Sequence, residues 1–367
     1  GSPVEININK LDISNMEMAR IADSPVVLVA DIDRGGVFAS IVGTLSLMSD
    51  EERSRVKGVI INKFRGRKDY FSEGVRLLED IIKIPVLGVV PYQKLGIDEE
   101  DGVSEKTYKE AKQVYRKDKL NVVVLKLDHM SNYTDFNVFE HIEGLELSYI
   151  SPDQDLEAFD GQNGQVGPDL LIIPGSKNTL GDMEGLNKSP MRDQILAYSK
   201  RGGLIVGLCG GYQMLGQTIR DDRGLDGSRG KVDGLGLLEV DTVFGSDKIT
   251  GQVRWNFGHE EGYFFGLENS QIEGYETHLG RTYPGPDDNY KIKYGHIMGT
   301  YCHGLFDSAG FLSGLLNNIA KARGLSRTFE VKDYRAIKNE EYNKLADLIR
   351  ENVDMEKVYN IIFSRDI

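Results

Sequence analysis

The chain has 367 residues, enough for two domains with substantial cores. Apolar residues make up 40% and charged residues 28%, the balance of a globular protein rather than a fibrous or disordered one. The net charge is −13, from 57 acidic and 44 basic side chains, and no basic stripe offsets it, which argues against a nucleic-acid partner. Only Cys209 and Cys302 are present, so a disulfide framework is excluded and a reducing, cytoplasmic setting is expected. No apolar run approaches the ~18 residues of a membrane span, and no secretory signal opens the chain. The composition leaves room for a homo-oligomer. Gly1-Ser2 stands where an initiator methionine would, while Ser2-Pro3-Val4-Glu5-Ile6-Asn7 reads as the interior of a domain, so a segment is expected upstream.

Val26 to Ala30 is a continuous apolar run, expected to be a strand buried on both faces. It ends in Asp31-Ile32-Asp33-Arg34-Gly35-Gly36, at the strand edge where open α/β sheets bind ligands. A helix is expected from Val37 to Met48, with Val37, Ile41 and Leu45 on one face. Val59-Ile60-Ile61 is the next strand and leads to Asn62-Lys63. Leu77, Leu78, Ile81 and Ile82 mark a helix, and Pro85 to Pro91 a third strand. Strand, helix, strand, helix, strand predicts a parallel, doubly wound sheet. Asp31 and Asp33 read either as magnesium ligands or as caps of the following helix. Asn62 reads either a base edge or caps a turn. The sequence contains no G-x-x-x-x-G-K-[ST] phosphate loop.

Lys106 to Lys119 is highly charged and reads as a solvated helix or linker, with the domain boundary there. A second α/β series follows. Its strands are expected at Val122–Leu127, Leu147–Ile150 and Asp169–Ile173, with a helix at Met191–Tyr198. The loop Pro174-Gly175-Ser176-Lys177-Asn178-Thr179 precedes a helix, leaving its backbone N–H groups free to face an anion. Beyond Leu235, Leu237–Val240, Thr250–Val253 and Tyr263–Phe265 read as antiparallel strands appended to the sheet. A Gly-, Pro- and Asp-rich loop runs from Gly280 to Asn289, and His296–Tyr301 is the last strand. Phe311, Leu315 and Ile319 give an amphipathic helix. Glu340 to Phe363 gives one more, with Tyr342, Leu345, Leu348 and Ile349 as its buried stripe.

The chemistry centres on Gly202 to Gln217. Leu204-Ile205-Val206 is a buried strand, and Cys209 follows on a tight turn into a helix, with Gly207 and Gly211 two positions away on each side. This is the pattern of a nucleophile elbow, in which backbone packs on backbone where side chains are excluded. A helix N-terminus beside the sulfur favours thiolate. A buried structural cysteine is the plainer alternative. A Cys nucleophile needs a base. Of His129, His141, His259, His278, His296 and His303, the strand-end His303 is the best candidate and His278, in a Gly-rich stretch, the second. Cys302 reads as core packing. An oxyanion hole is expected from the N–H of Gly210 and the Gly175-Ser176 loop. Gln213, one turn into the elbow helix, can hold a polar substrate end. A Cys–His pair with such a hole performs acyl transfer through a thioester.

Gly207-Leu208-Cys209-Gly210-Gly211-Tyr212-Gln213 resembles the elbow of class I glutamine amidotransferases. Gly274-Tyr275-Glu276-Thr277-His278-Leu279-Gly280 and Cys302-His303-Gly304-Leu305-Phe306 narrow the resemblance to the cobyrinic/cobyric acid synthase type. Segments Val29 to Phe38, Asn62 to Gly66, Ser131-Asn132-Tyr133-Thr134-Asp135-Phe136 and Pro174 to Thr179 resemble cobyric acid synthases in particular, over most of the chain to about Leu325. The resemblance implies the remaining part of a dethiobiotin-synthetase-like ATP-dependent domain over residues 1–117. It implies a flavodoxin-like class I amidotransferase domain over 118–325 and a helical tail over 326–367.

It further implies glutamine hydrolysis at Cys209, and ATP with Mg²⁺ activating carboxylates as acyl phosphates that ammonia attacks. The implied acceptor is the corrinoid adenosylcobyrinic acid a,c-diamide, amidated at its b, d, e and g carboxylates. Asp31, Asp33 and Arg34 then fit the synthetase site, the two aspartates near magnesium, and Asn62 fits adenine recognition. Two departures stand out. The His-x-Glu of many class I enzymes is absent, since Gly304-Leu305 follow His303 and the first acid is Asp307, so a third triad member is left open, with Glu276 a weak candidate. The phosphate loop lies ahead of Ser2 in such proteins, so this chain is expected to be a fragment that hydrolyses glutamine at best. Two alternatives remain: a related amidotransferase with another acceptor (cobyrinic acid a,c-diamide synthase or a cell-wall amidating glutaminase), or a degenerate binding subunit.

Overall fold

A computed structural model describes residues 3–4, 13–97, 115–160, 164–258, 261–268, 270–285 and 290–363. Most of the expected Ser2–Asn7 segment and the charged linker, His259, and the tip of the 280–289 loop lie outside the described residues. The chain divides into two units, one of residues 1–97 with 338–367, the other of residues 98–337. The stretch expected as a separate tail is thus shared between them, changing units after Ile337.

The first unit is built on a three-stranded sheet of β1 (Val26–Asp31), β2 (Val56–Phe64) and β3 (Val86–Pro91), in that order. Both pairings are parallel. Helix α1 (Met16–Ile21) precedes β1, and α2 (Val37–Leu47), α3 (Asp50–Arg55) and α4 (Lys68–Ile82) make the connections. Val37, Ile41 and Leu45 of α2 are buried with Val59, Ile61 and Leu78, as their spacing requires. The expectation of a doubly buried first strand fails for β1. Among the described residues it pairs with β2 alone, and it is partly buried except at Val29, which is 59% exposed.

The second unit contains a six-stranded sheet. Its strands are β4 (Leu120–Leu125), β6 (Leu145–Ile150), β9 (Leu170–Ile173), β11 (Leu204–Leu208), β16 (Tyr290–Lys293) and β17 (Ile297–Thr300), ordered β16-β17-β11-β9-β4-β6. All pairings are parallel except β16 on β17. Every residue of β4, β9, β11 and β17 is buried, which explains their unbroken apolar runs. Two short strands, β5 (Met130–Ser131) and β10 (Gly175–Ser176), pair antiparallel above this sheet's connections. A small hairpin joins β7 (Ala158–Asp160) to β8 (Gly164–Val166). Helices α5 (Asn137–Glu140), α6 (Thr179–Lys188), α7 (Met191–Lys200), α8 (Gly210–Leu215) and α9 (Ala309–Arg323) complete the α/β part.

The antiparallel region is not an extension of that sheet. It is a second sheet, ordered β13-β12-β14-β15, of β12 (Thr218–Asp221), β13 (Gly230–Asp233), β14 (Asp241–Asn256) and β15 (Gln271–Tyr283). Two of its expected strands do not form. Leu237–Val240 lies outside the strands, its Leu237 and Leu238 amides bonded to the carbonyl of Leu215. Gly262–Phe264 is a single 3₁₀ turn, with Phe264 driven into the core.

The last expected helix is two, α10 (Tyr334–Asn352) and α11 (Met355–Phe363). The break has a local cause in the first unit. Val353 pairs antiparallel with Gly88 of β3, and Asp354 donates its N–H to Leu87 O at 2.8 Å. The Asp354 carboxylate then accepts the N–H of Lys357, capping α11. Leu348 and Ile349 pack with Leu87, Val90 and Val353, whereas Tyr342 of the expected stripe is 49% exposed. A Cβ on Gly88 would stand 2.3 Å from Asn352 O, so only glycine allows this approach.

Candidate active site

Three neighbouring parallel strands deliver the site from their C-terminal ends, the edge where open α/β sheets bind ligands. Gly175 and Ser176 follow β9, Cys209 follows β11 and His303 follows β17. Cys209 has φ 50 and ψ −106, a left-handed backbone rare for a non-glycine residue. Its amide donates to Thr300 O at 2.8 Å, tying the elbow to β17. The flanking glycines are sterically required. A Cβ on Gly207 would stand 2.7 Å from Gly211 O, and one on Gly211 would stand 1.9 Å from Ile173 O. Gly211→Ala therefore forces the elbow off β9, with an expected loss of about 3 kcal/mol or more. The midpoint of chemical unfolding, followed by circular dichroism, checks this.

His303 is 1% exposed, and its imidazole is anchored on the Nδ1 edge. Nδ1 lies 2.7 Å from Asp135 Oδ2, and the Gly304 N–H donates to Asp135 Oδ1 at 2.9 Å. Burial disfavours the imidazolium, but the hydrogen bond to the Asp135 carboxylate, with the Cys209 sulfur nearby, outweighs it and pushes His303 up to about 10. A Cβ on Gly175 would lie 3.6 Å from His303 Cε1 and 3.8 Å from Cys209 Cβ, so this glycine leaves open the space between the pair.

The expected oxyanion groups converge on the same place. A Cβ on Gly210 would stand 2.8 Å from Ser176 N, which puts the two backbones in contact beside Cys209. The Ser176 hydroxyl is not available to a substrate. It donates to Asp182 Oδ2 at 2.6 Å and accepts the Asn178 N–H at 3.0 Å. Asp182, 5% exposed, also takes His129 Nδ1 at 2.8 Å. This buried carboxylate fixes the loop, so what the loop can offer is backbone N–H.

Gln213 is carried inward. It is 2% exposed, and its amide donates to the Tyr301 hydroxyl at 3.3 Å. Tyr301 continues to Thr282 at 2.6 Å and Thr282 to Thr242 at 2.9 Å. Oε1 of Gln213 has no hydrogen-bond partner among the described residues. His278 lies in this layer, its ring stacked on Tyr301 at 3.7 Å and its Nδ1 2.7 Å from Gly280 O. Burial lowers its pKa. Glu276 Oε2 stands 3.6 Å from His278 Nε2, beyond hydrogen-bond length, and the acid that reaches His303 is Asp135 rather than Glu276 or Asp307. Cys302 is 2% exposed, and burial pushes its thiol up to about 12, the state of an inert core cysteine.

Asp31, Asp33, Arg34 and Asn62 lie together at the C-terminal edge of the first unit's sheet, where Asp31 is the register partner of Asn62. Asp31 Oδ2 accepts Lys63 Nζ at 2.8 Å, and Oδ1 accepts the Asp33 N–H at 2.8 Å. Asp33 takes Arg65 Nε at 2.7 Å and a second guanidinium nitrogen at 3.3 Å. The hydrogen bond to Lys63 lowers the Asp31 pKa, and that to Arg65 lowers the Asp33 pKa. The Asn62 side chain accepts the Lys63 N–H at 2.8 Å, a turn-capping contact. Arg34 is exposed. Among the described residues no three His, Cys, Asp or Glu side chains group as metal ligands. All four carboxylate oxygens of Asp31 and Asp33 are thus bonded to basic or backbone donors.

A family model for the CobB/CobQ-like glutamine amidotransferase domain matches residues 121–311, and a model for an AAA domain matches residues 3–99. A cobyric acid synthase of Clostridium botulinum is 43% identical over 377 residues, covering 99% of this chain and 73% of that protein. One from Alkaliphilus metalliredigens is 41% identical over 387 residues, covering 99% and 74%. The chain belongs to the cobyric acid synthase family. It is accordingly a glutamine-dependent amidotransferase of cobalamin biosynthesis, with an AAA-type segment ahead of a class I amidotransferase fold. No described helix is long and apolar enough to cross a membrane.

The acid that anchors His303 was not identified from the sequence. Asp135 lies 168 positions upstream of its histidine. The available signal was the carboxylate inside Ser131–Phe136, a segment already singled out as typical of such synthases but given no role. Its turn, Tyr133–Phe136, follows directly on β5, which pairs Ser131 with Gly175 of the oxyanion loop.

Proposed function

We propose that the second unit hydrolyses glutamine with Cys209 as nucleophile, His303 as proton carrier and Asp135 as the group that holds His303. The Cys209 sulfur, its proton passed to His303, attacks the side-chain amide carbon of glutamine. The resulting oxyanion faces the N–H groups of Gly210 and the Gly175-Ser176 loop. His303 gives its proton to the departing nitrogen, the C–N bond breaks, and ammonia leaves a glutamyl thioester on Cys209. Water, losing its proton to His303, then cleaves the thioester to glutamate and restores the sulfur. Gln213, bonded to Tyr301, shapes the floor of this site from below.

The observation that carries this reading is the buried His303, held by Asp135 at 2.7 Å at the end of the strand beside the Cys209 elbow, together with the Gly210–Ser176 contact. In this reading the ammonia is used on a carboxylate activated by ATP through the AAA-type segment, with Asp31, Asp33, Arg34 and Asn62 at the substrate edge of that sheet. The acceptor is adenosylcobyrinic acid a,c-diamide, amidated at its b, d, e and g carboxylates, in the cytoplasm. Glutamate and ammonia released from glutamine by the chain test the first half. Amide formation on the corrinoid in the presence of ATP and magnesium tests the second. Glutaminase activity without corrinoid amidation would assign the ammonia to another acceptor.

A further inference from the structure

Tyr275 of β15 lies against the imidazole of His303. The two residues exchange backbone hydrogen bonds, Tyr275 N–H to His303 O at 3.1 Å and His303 N–H to Tyr275 O at 2.8 Å. Their rings are stacked, with centroids 5.2 Å apart and planes 27° from parallel. The phenol hydroxyl accepts a hydrogen bond from Asn132 Nδ2 at 2.8 Å. Asn132, at φ 56, opens the 3₁₀ turn Tyr133–Phe136, and its carbonyl accepts the Asp135 N–H at 3.1 Å. One turn thus supplies both the carboxylate on the edge of the imidazole and the amide that tethers the ring over its face.

A cavity of about 440 Å³, bordered by Tyr275, Gly304, Arg254 and Glu273, brings open space to this side of His303. His303 is 1% exposed, whereas Tyr275 is 41% exposed, so the phenol ring is the side chain that water meets.

We infer that Tyr275 and Asn132 form a clamp that positions His303, fixing the imidazole plane and keeping water off its face during proton transfer. This rests on the reading of His303 as the proton carrier. Asp135 holds the imidazole at its edge only, so the stacked phenol is what supports its face, and small misplacements of a reacting group are costly in rate. The clamp touches the imidazole and not the reacting atoms, so its loss falls on turnover rather than on glutamine binding.

Steady-state glutaminase kinetics of Tyr275→Ala, Tyr275→Phe and Asn132→Ala, with the Y275F/N132A double variant, test this. Tyr275→Ala is expected to lower kcat at least about tenfold with KM within about threefold of the parent. Tyr275→Phe, which keeps the ring, recovers most of the rate. Tyr275→Phe and Asn132→Ala each remove the same hydrogen bond, so the double variant matches either single one. An unchanged kcat in a folded Tyr275→Ala protein overturns the inference. So does a loss confined to KM, which would make Tyr275 a wall of the glutamine pocket, and so do additive effects in the double variant. His303→Ala measured alongside separates the two levels: if it too leaves kcat intact, the reading of His303 has failed instead.

Discussion

Cys209→Ala is expected to reduce glutamine hydrolysis by ~1,000-fold or more, to the background of a site that retains its other groups but has no nucleophile. Cys209→Ser should be nearly as inactive, because a hydroxyl is a far weaker nucleophile at neutral pH. Cys209→Gly separates catalysis from folding. Cys209 holds a left-handed backbone at φ 50, a conformation that costs a non-glycine residue about 1–3 kcal/mol. Glycine adopts it without strain. The glycine variant should therefore be as inactive as the alanine variant yet unfold at a higher denaturant concentration than Cys209→Ala. Glutamate release and urea unfolding on the same preparations measure both. A glycine variant no more stable than the alanine variant would mean that the elbow is not strained.

Asp135→Asn should lower kcat by ~100- to 10,000-fold, since asparagine can hold the imidazole in the wrong tautomer and carries no charge to match the imidazolium. It also predicts a pH dependence of stability. The folded protein holds His303 at about 10, above the ordinary 6.5 it regains on unfolding. The unfolded chain binds fewer protons over that interval, so stability falls as pH rises. The contribution is complete below pH ~6.5 and disappears as pH passes about 10. Asp135→Asn removes most of what raises His303. The gap in thermal midpoint between the parent and this variant should therefore be widest near pH 6 and narrow towards pH 10. A gap independent of pH would show that Asp135 acts by packing alone.

The elbow was legible because its chemistry is local. Gly207, Cys209 and Gly211 sit at spacings that only backbone-on-backbone packing explains, and the distances to Gly211 O and Ile173 O give the reason atom by atom. The parallel strands were legible because burial on both faces writes continuous apolar runs. What failed were segments whose fate depends on neighbours far along the chain. β1 reads as fully buried, but among the described residues it pairs with β2 alone and leaves Val29 exposed. Tyr263–Phe265 reads as a strand, but Phe264 is taken by the core and the backbone turns. The final helix breaks where Val353 leaves it to pair with Gly88, a contact spanning most of the chain. Asp135 belongs with these. Nothing near His303 in sequence points to it, and only the β5–β10 ladder brings its turn over the ends of β11 and β17.

Covalent capture of the nucleophile tests the central claim most directly. The chain, treated with a diazo-ketone analogue of glutamine and digested, should carry one label, on the peptide containing Cys209, while Cys302 stays unmodified. Excess glutamine should protect it, and His303→Ala should slow the labelling. A label on Cys302, or none at Cys209 in a folded protein with His303 intact, would contradict a glutamine site built on Cys209, His303 and Asp135.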